Sequence, residues 1–209
     1  MYLRPAFIET DIDRIAGLIA DFNFGLLVTM RAEGMGGAEG MEASHVPFCV
    51  ERAGEGIVLT AHLGAANGQC AALDGGTGLA IFSGPHAYVS PSWYVTQPSV
   101  PTWDYAAVHV HGRLELVSET ETMHAMLADL GRNDPGGFDL RAMPEKYQAA
   151  MLSGIRGFRL HPTKIEAQWK MSQNRSVADR QGVVDALRAE GREAVAGLIE
   201  ATLPIVVKS

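Results

Sequence analysis

Five short segments of the chain combine hydrogen-bonding side chains with aromatic or apolar neighbours. Each segment alone is typical of an ordinary strand end, where Ser, Asn and Gln commonly form turns. Taken together, they predict one binding site assembled from distant parts of the chain. The segments are SHVPF (44–48), HLGAANGQ (62–69), PSWY (91–94), VPTWDY (100–105) and KMSQNR (170–175).

The residue types in these segments suit one class of ligand. Trp93, Tyr94 and Trp103 offer flat apolar surfaces, while Lys170 and Arg175 carry positive charge. A planar heteroaromatic ring with a phosphate group needs apolar walls, hydrogen-bonding groups at the ring edge and a cation at the charged end. The uncharged polar residues that complete this set are Ser44, Asn67, Gln69, Thr102, Ser172, Gln173 and Asn174.

Metal binding is the second chemistry to consider, because the chain has seven histidines. His109 and His111 are two residues apart on one predicted strand face, a spacing that can bring two imidazoles to one ion. No cysteine or carboxylate spacing completes a recognisable ligand set, so we predict no metal site.

Nucleophilic catalysis has little support in the sequence. There is no G-x-S-x-G elbow, and neither Cys49 nor Cys70 lies in an electropositive motif. Walker and G-x-G-x-x-G loops are also missing, and EGMGGAEG (33–40) is better interpreted as a hairpin turn. The catalytic residues stay unassigned, with His45 and His62 as the best acid–base candidates.

Hydrophobic periodicity predicts the elements that must position these segments. In the clearest strand, residues 106–117, Val108, Val110, Leu114 and Leu116 share one face. Strands are also expected at 77–84 and 86–90, on either side of Gly84-Pro85. Several short antiparallel strands with hairpin turns predict a small barrel with helical attachments, of mixed α+β class.

Helices are predicted mainly outside the strand segments. A first helix is expected after Thr10, which we predict as its N-cap. The C-terminal part predicts two helices that meet near Gly191. We expect a single domain over 1–209, in which 176–209 form a helical extension packed on the barrel or on a partner.

Bulk composition restricts the class of partner. The 209 residues carry a net charge of −7, which predicts no general attraction to nucleic acid or to an anionic membrane. Residues 176–202 contain three Arg, two Asp and three Glu, whereas a DNA-contacting helix is normally net basic. Without a signal peptide or a membrane-spanning apolar run, the chain is expected to be cytoplasmic with reduced thiols.

In this order, the five segments resemble the PaiB-type family of FMN-binding negative transcriptional regulators. The opening MYLRPAF fits this family as well, and the run GPHAYVSPSWY (84–94), with VPTW close behind, is a specific signal. The resemblance covers nearly the whole chain up to about Arg175 and continues more weakly into the last helices.

The resemblance implies an antiparallel split β-barrel of the FMN-binding type with peripheral and C-terminal helices. It also implies a homodimer with flavin at the subunit interface, so that the aromatic turns wall a flavin pocket. The cofactor-binding residues implied in this way are Ser44, His45, His62, Asn67, Gln69, Thr102, Trp103, Lys170, Ser172, Gln173 and Asn174.

Two segments depart from the family pattern. Where members are similar to HxARANPQW, this chain reads HLGAANGQC, so that Ala65, Gly68 and Cys70 replace an arginine, a proline and an aromatic residue. Loss of a charged hydrogen bond to phosphate costs roughly 1.5–3 kcal/mol, so FMN binding is expected to be weakened unless Lys170 or Arg175 compensates. Asp104 stands where the family often has asparagine.

Three functions stay open at this point. The first is an FMN-binding, PaiB-like negative transcriptional regulator that acts as a homodimer, through a partner rather than by tight DNA contact. The second is a flavin-dependent oxidoreductase or flavin reductase, an analogy that rests on the shared fold. The third is a degenerate member that no longer binds FMN tightly because of Ala65.

Overall fold

The computed structural model describes residues 1–30, 40–131 and 134–204. Apart from Gly40, the predicted hairpin turn EGMGGAEG (33–40) lies outside the described residues, and so does the end of the C-terminal extension. The elements given below belong to the described part of the chain.

The described residues include seven strands and five α-helices. The strands are β1 (Phe24–Met30), β2 (Met41–Pro47), β3 (Cys49–Ala53), β4 (Gly56–Gly64), β5 (Thr77–Val89), β6 (Thr102–Val117) and β7 (Ile155–Lys170). The α-helices are α1 (Ile12–Asp21), α2 (Thr120–Gly131), α3 (Glu145–Ser153), α4 (Val177–Ala189) and α5 (Glu193–Glu200). Four short 3₁₀ helices occupy Pro5–Phe7, Gly68–Ala72, Pro91–Trp93 and Leu140–Ala142.

The seven strands form one antiparallel sheet in the order β2-β1-β5-β6-β7-β4-β3. Strands β1 and β2 pair from Phe24 opposite Pro47 to Met30 opposite Met41. Strand β4 pairs with β3 on one side and with β7 on the other. The predicted α+β class with an antiparallel sheet is confirmed.

Two compact units share these elements and are described separately. The first unit comprises 1–10, 83–108 and 166–209. The second comprises 11–82 and 109–165. The expectation of a single domain over 1–209 stays a prediction.

The core of the second unit is built around three phenylalanines. Phe48, Phe82 and Phe158 are almost fully buried, and the Phe48 ring meets the other two edge-on, at centroid distances of 5.2 and 6.1 Å. Burial of each such side chain contributes about 1.5–3 kcal/mol. Gly25 lies against this group, because a Cβ built there would be 2.7 Å from the Phe82 ring.

The burial pattern of β6 confirms most of the predicted alternation. Val108, Val110 and Leu114 are buried, whereas Leu116, near the end of the strand, is 38% exposed. The buried position at this end is Val117, which packs with Met123 and other residues of α2. Contact with the helix therefore displaces the burial pattern by one residue at the strand end.

Two predictions about local structure are wrong. The N-cap of α1 is Asp11 rather than Thr10, because the Asp11 carboxylate accepts from the backbone N–H groups of Asp13 and Arg14. The segment around Pro85 is part of one continuous strand, β5, instead of dividing two strands. Strand β1 pairs with β5 over Gly78–Ile81, so Pro85 lies beyond the pairing with β1.

The C-terminal helices confirm the predicted pair. Helices α4 and α5 are separated by Gly191, whose φ of +71° is the left-handed conformation that glycine adopts readily. Gly182 of α4 lies against the 3₁₀ helix Pro91–Trp93, because a Cβ there would be 2.3 Å from the Trp93 carbonyl oxygen. Helix α4 therefore packs against this 3₁₀ helix within the first unit, and packing of 176–209 on the barrel or on a partner stays a prediction.

Candidate functional site

The predicted site residues fall into two groups, one in each unit. We call Ser44, His45, His62, Asn67 and Gln69 the amide cluster, which belongs to the second unit. We call Thr102, Trp103, Asp104, Lys170, Ser172, Gln173 and Asn174 the lysine cluster, which belongs to the first unit. A cleft common to both clusters stays a prediction.

Asn67 is the centre of the amide cluster. Its Oδ1 accepts from the Gln69 backbone N–H at 2.9 Å and thereby caps the 3₁₀ helix Gly68–Ala72. Its Nδ2 donates to Ser44 Oγ on β2 at 3.0 Å. The structure therefore brings Ser44 and Asn67 together, and the Ser44 hydroxyl keeps its own proton for another acceptor.

Gln69 anchors the same 3₁₀ helix to the sheet. It is 2% exposed, and its Nε2 lies within hydrogen-bond distance of Thr29 Oγ1 and of the carbonyl oxygens of Leu27 and Glu42, at 3.0–3.3 Å. Both amide protons therefore have acceptors inside the protein. The Oε1 atom is buried and has no hydrogen-bond partner in the described part of the chain.

The two histidines of the amide cluster have different surroundings. His45 is exposed, and its ring stacks on Phe24 at a centroid distance of 5.7 Å and an angle of 22°. His62 is half-buried, and its buried Nδ1 has no hydrogen-bond partner within the described residues. Burial lowers the pKa of His62, which favours a neutral imidazole near pH 7.

The positions that depart from the family pattern lie in the loop after β4. Ala65 is half-buried and its backbone N–H donates to Gly154 O at 2.8 Å, so this position offers no cation. Next to Gly68 lies the Glu42 carboxylate, with Oε1 3.0 Å from the position of a Cβ on that glycine. The Cys70 thiol contacts Gly64 O at 3.4 Å, and burial raises its pKa.

Lys170 is the centre of the lysine cluster. Its ammonium donates to Thr102 Oγ1 at 2.6 Å, to the Trp103 carbonyl oxygen, and to Asp104 Oδ1 at 3.2 Å. An ammonium group has three protons, so these three oxygens use its whole donor capacity. In the arrangement seen here, Lys170 joins the start of β6 to the end of β7.

Asp104 is the buried partner of this lysine. Its side chain is fully buried, and its Oδ2 accepts from Ser172 Oγ at 2.6 Å. Burial raises the pKa of Asp104, while the bonds from Ser172 and the charge of Lys170 oppose this rise. Ser172 has a φ of +55°, an uncommon conformation for a residue with a side chain, and the bond to Asp104 helps to hold it.

The side chains that follow Ser172 differ in their hydrogen bonding. Gln173 accepts from the Met171 backbone N–H at 2.7 Å and donates to the Trp169 carbonyl oxygen. Asn174 is exposed, and its amide makes no hydrogen bond to the rest of the described chain. Arg175 lies over the Tyr94 ring, with its Cζ 4.3 Å from the centroid.

An aromatic cleft of about 370 Å³ opens in the first unit beside Trp103. Trp103 is 54% exposed, and its ring centroid lies 6.2 Å from that of His86 and 6.1 Å from that of Tyr88. His86 Nδ1 donates to Gly84 O at 3.1 Å. The cleft is lined by Ser83, Gly84, His86, Trp103, Tyr105, Ala106 and Ala107.

The structure changes which aromatic residues can act as walls. Tyr94 is 4% exposed and covered by Arg175, so it presents no open face. His86 and Tyr105 line the cleft, although neither is among the predicted cofactor-binding residues. The two-residue period of a strand could have identified Tyr105, because it lies two residues after Trp103 on β6.

Within residues 1–30, 40–131 and 134–204, no group of three or more His, Cys, Asp or Glu side chains could hold a metal ion. None of the helices in the same ranges is long and apolar enough to cross a membrane.

Comparison with solved structures shows the fold. A conserved hypothetical protein of Mycobacterium tuberculosis superposes with a TM-score of 0.59 at 13% identity, covering 84% of this chain and 94% of that one. The FAD and heme binding protein of Mycobacterium smegmatis gives 0.55 at 16% identity, covering 78% and 73%. The predicted split-barrel fold is confirmed by these neighbours.

Comparison of sequences shows the family. The model of the family described as "Putative FMN-binding domain" matches residues 1–164. Protease synthase and sporulation protein PAI 2 of Bacillus subtilis is 30% identical over 197 residues, covering 91% of this chain and 90% of that protein. An uncharacterized Aspergillus fumigatus protein is 26% identical, with 95% of each chain covered. The chain therefore belongs to the PaiB-type family of FMN-binding domain proteins.

Proposed function

We propose that the protein binds FMN as a homodimer and acts as a negative transcriptional regulator. The observation that carries this proposal is the aromatic cleft beside Trp103, in a chain whose family is described as FMN-binding. The cleft offers the flat faces of Trp103, His86 and Tyr105, which suit a planar ring system. The FAD named for the Mycobacterium smegmatis neighbour supports a flavin as the ligand.

Several candidate residues have surface or hydrogen-bonding capacity that a flavin could use. Trp103 has an open face, and the free amide of Asn174 belongs to the same unit. In the amide cluster, the Ser44 hydroxyl and the stacked His45 ring are free to meet a ligand. Gln69 and Lys170, by contrast, would hold the loops in place. These residues fit the group, because they supply apolar surface and unused hydrogen-bonding capacity.

The homodimer is supported by large apolar side chains that remain exposed. Phe24 is 67% exposed and Met41 66% exposed in the second unit, and Trp103 is 54% exposed in the first. Aromatic and methionine side chains are enriched where proteins associate. Light scattering coupled to gel filtration should give twice the mass of the 22.4 kDa chain. A monomeric mass at micromolar concentration would contradict this part of the proposal.

The regulatory role is proposed to be indirect. Arg188 on α4 is paired with Glu193 at 3.5 Å and with Glu200 at 2.7 Å, so its charge is neutralised within the helical pair. With a net charge of −7, the protein is better suited to act through a protein partner than through phosphate contacts. We place this activity in the cytoplasm, where the free thiols of Cys49 and Cys70 would stay reduced.

A titration with FMN tests the binding proposal. The purified protein is expected to bind FMN at tens of micromolar or tighter, with a shift in the flavin spectrum. Trp103→Ala should weaken binding roughly twofold to tenfold, because an aromatic contact is lost. Tyr147→Ala is the matched control, since this exposed aromatic residue does not line the cleft. Failure of FMN to bind would refute the proposal and favour the degenerate-member hypothesis.

Regulation requires a separate experiment. Transcripts of the repressed genes should rise when the gene that encodes this protein is deleted, and should fall again when it is restored. The protein alone should not shift random DNA fragments at physiological salt. Unchanged transcripts would contradict the regulatory role while leaving FMN binding intact.

A flavin-dependent oxidoreductase is the second candidate function. The half-buried His62 favours it, because burial lowers its pKa and leaves a neutral base with an unused Nδ1. Oxidation of NADH or NADPH in the presence of FMN, lost in His62→Gln, would support this candidate. Absence of turnover with the FMN-loaded protein would count against it.

A further inference from the structure

Arg156, the second residue of β7, carries a charge that no carboxylate neutralises in the described part of the chain. Its Nη1 donates to two backbone carbonyl oxygens, those of Ser153 at 3.2 Å and Ile155 at 2.8 Å. Arg159, three residues later on the same strand, has its Nη1 3.3 Å from a carboxylate oxygen of Glu115. Arg156 therefore has a positioned guanidinium whose Nη2 and Nε remain available.

Arg156 lies next to the loop after β4, which leads to Asn67 and Gln69 of the amide cluster. Antiparallel pairing places it opposite Leu63, which immediately precedes that loop. The Ala65 backbone N–H donates to Gly154 O at 2.8 Å, which ties the loop to the start of β7. At the other end of the loop, the charge of Arg156 opposes the rise that burial causes in the pKa of Cys70.

This loop requires a cation if it is to accept an anion. The Glu42 carboxylate lies beside Gly68, and Ala65 contributes no charge. Of the two cations that the sequence offers as compensation, Lys170 has all its protons engaged by three oxygens. The other cation, Arg175, lies over an aromatic ring.

We propose that Arg156 is the residue that binds the anionic tail of the ligand and selects a flavin with a phosphate over one without. This inference rests on the proposed binding of flavin. The planar guanidinium fork matches phosphate in a bidentate geometry, and the two bonds to Ser153 and Ile155 orient it in advance. Arg156 thus performs from β7 the electrostatic role that an arginine at position 65 would perform from the loop.

The test compares FMN with riboflavin, which has the same ring system without the phosphate. Wild type should bind FMN more tightly than riboflavin. Arg156→Gln should lose FMN affinity roughly tenfold to a hundredfold and keep its riboflavin affinity. Arg159→Gln, which removes one positive charge from the same strand, should change neither affinity. Ala65→Arg in the Arg156→Gln background should restore FMN binding.

Unchanged riboflavin affinity also shows that Arg156→Gln is folded. Equal binding of FMN by Arg156→Gln and wild type would overturn the inference and leave the proposed function intact. A wild type that binds both flavins equally would have the same consequence. If wild type binds neither flavin, the proposed function and this inference are both wrong. Loss of FMN affinity to the same extent in Arg159→Gln would show a general charge effect and would also overturn the assignment.

Discussion

Replacement of Lys170 by methionine should destabilise the protein through the buried carboxyl that it leaves behind. Methionine keeps most of the apolar length of lysine but removes the charge and the three donated protons. The Lys170 side chain is 19% exposed and that of Asp104 is fully buried, so the charged pair is largely shielded from water. Removal of one partner of such a pair costs about 3–5 kcal/mol. The partial exposure of Lys170 favours the lower end of this range.

The pH dependence of this loss follows from the direction of the pKa change. Burial raises the pKa of Asp104 in the folded state. Protonation of this carboxyl therefore favours folding, and that contribution is lost as pH rises from the pKa of the unfolded state towards that of the folded state. Without Lys170, the folded pKa should rise further. The stability deficit of Lys170→Met is therefore greatest at neutral pH and decreases as pH falls towards the range in which Asp104 is protonated.

Urea denaturation at one protein concentration, from pH 5 to pH 8, measures both effects. Lys146→Met is the matched control, because Lys146 is exposed on α3. The double variant Lys170→Met with Asp104→Asn should recover most of the loss, since an amide carries no charge to bury. The reasoning would be refuted if Lys170→Met were as stable as Lys146→Met at neutral pH, or if its deficit stayed constant on acidification.

Three further predictions concern positions outside the lysine cluster. Cys49 has a pKa raised to about 12, first by burial, so it should not react with a thiol-directed disulfide reagent at pH 8 until urea unfolds the protein. Gln69→Leu should lower the free energy of unfolding by roughly 1–3 kcal/mol in urea titrations, because buried acceptors lose their donor. Gly25→Ala should lower the melting temperature, at a cost of roughly 1–3 kcal/mol, because the new methyl group meets the Phe82 ring; an unchanged melting temperature would contradict this contact.

The sequence allowed the fold to be predicted where local pattern and burial agree. The two-residue alternation of β6 predicted Val108 and Val110 as buried, and Gly191 marked the boundary between the last helices. The exposure of Leu116 could not be read in the same way, because it depends on packing against α2, an element whose position is a property of the tertiary structure.

The sequence motifs name candidate site residues but do not define the role of each one. Lys170 and Asp104 are 66 residues apart, and Gln69 and Leu27 are 42 residues apart, so no local pattern reveals that they bond to each other. A polar side chain in a motif can face a ligand or an acceptor elsewhere in the chain, and composition alone does not distinguish these roles. Arg156 was missed for a related reason, because it lies outside the motifs and is brought to them by strand pairing.

The hydrogen bonds of each cluster separate residues that stabilise the loops from residues that are available to a ligand. Gln69 and Lys170 are bonded to several oxygens of the protein, so their loss should change stability first and ligand affinity second. Trp103 and Asn174 have open surface or unused donors, so their loss should change affinity with little effect on stability. If substitution of Gln69 or Lys170 changed mainly affinity, or that of Trp103 or Asn174 mainly stability, the loops would have to rearrange when a ligand binds. The ratio of the two effects at each position therefore distinguishes residues that hold the loops from residues that meet the ligand.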